Sequence, residues 1–84
     1  MSAVVTNTTR YVHDVLDYTW DRDVDIELIQ QMDTQRPRRN KYIVYVFDTS
    51  NPYEDVVLKK TRPMRNRSKA RRKFLDITAK YMAA

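Results

Sequence analysis

Apolar residues in this chain change their spacing from one stretch to the next, and the spacing predicts its elements. From residue 9 onward Tyr11, Val15 and Tyr18 recur at helical intervals, with Val12, Leu16 and Thr19 as a second row one step along. That periodicity predicts a first helix capped by Thr8 or Thr9, although the threonine and valine content keeps a strand in contention. Residues 21–33 carry two overlapping patterns. Val24, Ile26 and Leu28 alternate with acids, as in an exposed strand. The same acids crowd a first turn ahead of Glu27-Leu28-Ile29-Gln30-Gln31-Met32, which suits a helix whose N-terminal dipole favours negative charge. The helix is the preferred reading.

Residues 35–40 set one proline among three arginines and read as a loop. Residues 42–47, Tyr-Ile-Val-Tyr-Val-Phe, are six β-formers in a row and give the clearest strand, with both faces covered or one face meeting a partner. Turn residues at 48–52 lead to a second strand over 55–61, hence a hairpin, which Pro63 ends. Ser68 is the expected N-cap of a last helix running to about Met82. Ala70, Phe74, Ile77 and Tyr81 form one apolar face, widened by Leu75 and Met82, opposite Lys69, Arg72, Lys73 and Lys80. The expected fold is α+β. It is a small single domain of residues 1–84: N-terminal helices, a β-hairpin and a basic C-terminal helix packed on the sheet, with residues 1–9 as a flexible arm.

At 84 residues, such a domain is held by roughly 3–6 kcal/mol. It has no cysteine, so neither disulfides nor a thiolate metal site can add to that. It also has no glycine, which excludes phosphate-cradling and dinucleotide loops and leaves positive-φ turns to Asn40, Asn51, Asn66 or an aspartate. No run approaches the ~18 apolar residues of a membrane span, and the first residues lack the basic start and apolar stretch of a signal peptide. The expected setting is therefore the cytoplasm (the host cytoplasm for a viral protein), with no membrane partner.

Charge changes the picture most. Residues 1–35 hold two bases against seven acids, a local charge of −5, whereas residues 36–84 hold fourteen bases against four acids, a local charge of +10. Residues 59–73 contain nine bases and no acid: Lys59, Lys60, Arg62, Arg65, Arg67, Lys69, Arg71, Arg72 and Lys73. Several of these crowd the positive pole of the last helix, where each base costs roughly 0.3–1 kcal/mol. Orphan amides, the dipole and cationic side chains converge there on one region, an arrangement suited to phosphate. Arg36, Arg38, Arg39 and Lys41 form a second basic patch. Tyr42 and Tyr45 are candidates for stacking on unpaired bases, although tyrosines in a strand more often pack against neighbours. Competing readings of the basic run are a solvated surface, docking on the acidic half of the same molecule, and an acidic protein partner.

The hairpin leading into Ser68-Lys69-Ala70-Arg71-Arg72-Lys73 resembles the C-terminal half of a double-stranded-RNA-binding domain over residues 59–81. That resemblance implies a lysine-rich helix start facing phosphates. The chain departs from the family by lacking the glycine of the preceding loop and one of its strands.

Other chemistry is thinner. His13 is the only histidine and, with Asp14 and Asp17, makes a poor metal set. Asp21, Asp23, Asp25 and Glu27 lack the glycine and ordered spacing of a calcium loop. Ser50 and Ser68 have no base in view, so no catalytic residue, metal or cofactor is expected. The expected function is a small basic non-enzymatic nucleic-acid-binding protein, for RNA rather than DNA, that contacts mainly phosphates and discriminates sequence weakly. The alternative is a protein–protein interaction module: a small accessory, inhibitor or assembly subunit of phage or viral type. It would bind partners through its acidic N-terminal and basic C-terminal halves, as a homodimer or in a larger assembly.

Overall fold

The computed structural model describes residues 10–82. Strands β1 (Tyr11–Asp21), β2 (Val24–Asp33), β3 (Lys41–Asp48) and β4 (Val56–Lys60) form one antiparallel sheet in chain order, followed by helix α1 (Arg67–Met82). The α+β class, the β3–β4 hairpin and the C-terminal helix on the sheet match expectation. The two N-terminal helices do not exist: both stretches are strands. The reason lies in a bulge. Val15 faces Ile29 while Asp17 faces Leu28, so Leu16 is one residue extra in β1. The insertion shifts the two-residue alternation by one, and Tyr11, His13 and Val15 before it share a face with Tyr18 and Trp20 after it. Steps of four and then three along one face therefore mimic a helix. The sequence pattern groups the faces correctly and assigns them to the wrong element.

Strand β2 keeps strict alternation, with Val24, Ile26 and Leu28 on one side and Asp25, Glu27 and Ile29 on the other. Ile29, flanked by Val15 and paired with Ile43, makes the second side apolar too at mid-strand, which blurs the period.

Helix α1 packs on β2 and β3, the two central strands. Ile26, Leu28, Val44 and Val46 from the sheet meet Ala70, Phe74 and Ile77 from the helix, with Leu16, Val24, Tyr42, Met64 and Met82 closing the margins. Each such large side chain contributes about 1.5–3 kcal/mol by leaving water. No element covers the other face of the sheet among the described residues, and its only buried apolar residues are Ile29 and Ile43, paired with each other. The result is a slab of 51 × 33 × 16 Å, thin because it is one sheet and one helix. Val15, Tyr18, Trp20 and Val57 are left about half exposed or more on the open side.

Two local expectations need correction. The one positive φ among the described residues is 53° at Arg22, in the two-residue β1–β2 turn, and not at an asparagine or aspartate. Helix α1 is capped by Asn66, two residues before Ser68. The Lys69 amide donates to Asn66 Oδ1 at 3.0 Å and the Ala70 amide to the Asn66 carbonyl at 3.0 Å. Residues 35–40 form a loop containing the 3-10 turn Pro37–Arg39. The suggested caps Thr8 and Thr9 and the suggested arm at 1–9 lie outside the described residues. Among the described residues no helix is long and apolar enough to cross a membrane.

Thermal unfolding followed by circular dichroism checks this one-sided core. Phe74→Ala should lower stability by about 3–5 kcal/mol, close to the whole stability of the domain. Trp20→Ala, at a residue 62% exposed on the open face, should change it by less than about 0.5 kcal/mol. Arg22→Gly should raise stability by about 0.5–1 kcal/mol, because glycine occupies positive φ without a Cβ clash.

Candidate nucleic-acid interface

Because the strands form a meander, β1 and β3 start at the sheet end where β2 and β4 finish. Charge is sorted between the two ends. The far end, with the β1–β2 turn and the β3–β4 loop, holds Asp21, Asp23, Asp25, Asp48, Glu54 and Asp55 against Arg22. The near end holds Arg10, Arg36, Arg38, Arg39 and Lys41 against Asp33. The segment leading from β4 to α1 joins it there. An antiparallel bridge pairs Tyr42 with Met64, the Tyr42 amide donating to the Met64 carbonyl at 2.7 Å and the Met64 amide to the Tyr42 carbonyl at 2.8 Å. This register sets Arg65 across from Lys41 and starts α1 at Arg67 beside the same edge. Two basic segments more than twenty residues apart in the chain thus become neighbours.

The rest of the basic run divides between faces. Lys60 lies on the open face with its Nζ 5.6 Å from the centre of the Tyr45 ring, a cation–π contact. Lys59 pairs with the buried Val46 and so points to the helix side. Arg71 reaches across to Asp17 of β1 at 3.9 Å, a loose, exposed pair contributing at most a few tenths of a kcal/mol. With Arg71 turned toward β1, helical periodicity puts Lys69 and Lys73 on the opposite flank of the helix. Arg72 projects outward, and Arg62 is exposed in the connecting loop. Of the basic residues in 36–41 and 59–73, only Arg71 comes within 4 Å of a carboxylate among the described residues. The first turn of α1 contains no acid.

Tyr42 and Tyr45, paired as stacking candidates on sequence grounds, part company. Tyr42 packs against the core on the helix side. Tyr45 stands on the open face, stacked on Phe47 with ring centres 5.6 Å apart and planes 7° from parallel. Cross-strand register adds Tyr18, two positions beyond Tyr45 across Glu27, and Trp20, likewise across from Phe47 over Asp25. The sequence pattern groups Tyr18 with Tyr11 and Val15 but offers neither it nor Trp20 as a stacking candidate, because the bulge hides the strand alternation that sets them beside Tyr45 and Phe47. Glu27 sits between the two tyrosines. Desolvation there, with the nearby charges of Asp25 and Asp55, raises its pKa. Desolvation likewise raises the Tyr18 pKa.

Arg10 is a further functional candidate without a sequence signal. Its Nε and Nη2 donate to Asp33 Oδ1 and Oδ2 at 3.2 and 3.0 Å, a bidentate fork. Asp33 is the one buried charged residue among those described, and its Oδ1 also accepts the Gln35 amide at 2.9 Å. The Arg36 amide then donates to the Asp33 carbonyl at 3.1 Å and the Arg39 amide to the Arg36 carbonyl at 2.9 Å. Asp33 thereby shapes the turn that presents Arg36 and Arg39. The Arg10 hydrogen bond, opposed by burial and aided by the Gln35 amide, holds its carboxyl below the usual range.

Set against known proteins, the chain matches no family model, and no curated protein and no solved structure matches it significantly. The expected hairpin and basic helix start are present, with two further strands ahead of them in the same sheet.

Two substitutions separate the carboxylates by pH. A depressed folded pKa means that Asp33 stabilises above the unfolded carboxyl value of about 3.9 and that this stability is lost as pH falls through the lower folded value. Asp33→Asn should therefore melt lower at pH 7, with the gap closing in strong acid. Glu27 has the opposite sign. Its ionised form is disfavoured in the fold, so Glu27→Gln should melt higher at pH 7, with the gain fading as pH drops toward 4.5, the ordinary value for the group.

Proposed function

We propose that the chain is a small non-enzymatic nucleic-acid-binding protein whose ligand is RNA with unpaired bases. Phosphates lie along the basic end of the sheet and the start of α1, on Arg36, Arg38, Arg39, Arg62, Arg65, Arg67, Lys69, Arg72 and Lys73. Bases reach the open face at Tyr45, Tyr18 and Trp20, where every base has a π-face to offer. The observation that carries this reading is the gathering of two distant basic segments at one sheet edge with almost no internal carboxylate to neutralise them. Self-repulsion of that kind is relieved by a polyanion. Asp25 and Glu27 on the open face repel phosphates and accept hydrogen bonds from base amino groups, which favours bases over backbone at that surface.

A second reading has its own support. Exposed Trp20, Tyr18 and Val15 ringed by acids also suit a protein partner carrying basic groups, in line with an accessory or assembly role.

Titrating labelled single-stranded RNA at several salt concentrations tests the proposal and separates the two readings. With about six phosphates neutralised, log affinity should fall with log salt at a slope of about −4 to −5. Replacing Arg65, Arg67, Arg71 and Arg72 together by Ala should weaken binding at least tenfold and flatten the slope. A shallow slope, or full binding by the variant, contradicts the RNA reading and leaves the protein-partner one.

A further inference from the structure

A cleft of about 320 Å³ opens at the basic end of the sheet, lined by Arg10, Tyr11, Gln31, Asp33, Arg36, Arg39 and Lys41. We propose that this cleft is a seat for a phosphate monoester, the terminal phosphate of a nucleic acid strand. The inference rests on the RNA reading for its ligand's source and goes further in naming the chemical group.

Three features argue for it. The first is charge. Four cations line the cleft and the single acid, Asp33, is matched by the Arg10 fork, so Arg36, Arg39 and Lys41 remain uncompensated among the described residues. A phosphate monoester carries about −1.5 to −2 at neutral pH, nearly twice the charge of an internal diester, and answers such an excess better. The second is shape. Walls come from the start of β1, the end of β2 and the turn into β3, making a recess at the sheet end. A terminal phosphate has chain leaving on one side only and enters such an opening end-on, whereas an internal one lies across it. The volume is on the order of ten waters, room for a phosphate with part of its sugar. The third is preorganisation. Asp33 engages Nε and Nη2 of Arg10 and leaves Nη1 to donate, while Arg10 also sits 5.3 Å from the centre of the Tyr11 ring. Asp33 also shapes the turn carrying Arg36 and Arg39. The Arg10 guanidinium held in this way binds a tetrahedral oxyanion with little ordering left to do, and the backbone turn brings the exposed Arg36 and Arg39 to the same cleft.

Three versions of one ten-nucleotide RNA test the site by anisotropy: 5′-phosphorylated, 3′-phosphorylated, and unphosphorylated at both ends. One terminal phosphate should tighten binding about tenfold over the unphosphorylated strand, the scale of one to two charge-assisted hydrogen bonds. Whichever end gives the gain names the terminus. Arg36→Ala/Arg39→Ala, at exposed positions that leave the core intact, should erase the gain. Lys69→Ala/Lys73→Ala should weaken all three strands alike and preserve it. Equal binding of the three strands by the wild type, or a gain that survives Arg36→Ala/Arg39→Ala, overturns the site while leaving general RNA binding in place. If no strand binds at low salt, the RNA reading fails and the cleft is judged alone by titrating inorganic pyrophosphate into the labelled full chain. Amide shifts confined to Gln31, Arg36, Arg39 and Lys41 support the seat, and their absence overturns it.

Discussion

The structure depends on one seam. Phe74 and Ile77 of α1, with Ala70 between them and the helix start, lie against Ile26, Leu28, Val44 and Val46 of the two central strands. Among the described residues one helix meets one sheet, so only one face is dry. The rest follows from which face that is. Tyr42 goes inward because it shares a side with Val44 and Val46. Tyr45 and Phe47 go outward beside Tyr18 and Trp20. The edge strands β1 and β4 touch the helix least and keep their apolar residues half in water.

The same seam sorts the charge. A meander brings alternate turns to opposite ends, and here one end receives the acids of residues 21–25 and 48–55 while the other receives the bases of residues 36–41. The Tyr42–Met64 bridge then fixes the chain entering α1 at the basic end. Asn66 caps the helix with a neutral amide, where an aspartate would have set a negative charge among the arginines. That choice keeps the positive pole unneutralised. The Arg10–Asp33 fork is the local exception, and its effect is to hold the basic turn in shape.

Much of the C-terminal half is legible in the sequence because each segment there carries a single period. Residues 42–47 have no polar position, and Ala70, Phe74 and Ile77 fall on one helical stripe, so strand, hairpin and helix emerge at nearly their observed limits. The N-terminal half hides itself. The extra residue Leu16 turns a two-residue alternation into steps of four and three, and Ile29 adds an apolar side chain on the acidic side of β2. Acids in residues 21–27 look like helix-start chemistry when read locally, yet they serve a two-residue turn whose strained position is Arg22. The basic patches are visible as composition. Their meeting at one edge is not, since it depends on a bridge between residues 42 and 64. Arg10 and Asp33 are invisible for the same reason: a pair twenty-three residues apart leaves no local trace.

The central claim is that the sheet's basic end, and not its acidic end, is the working surface. Amide chemical-shift mapping of the labelled chain during titration with single-stranded RNA at low salt tests it most directly. The account predicts that shifts gather in residues 36–41 and 61–73, spreading to Tyr45 and Lys60 on the open face, and that they fade as salt rises. Shifts centred on the Arg22–Asp23 turn and residues 48–55, or none at all at low salt, would contradict it.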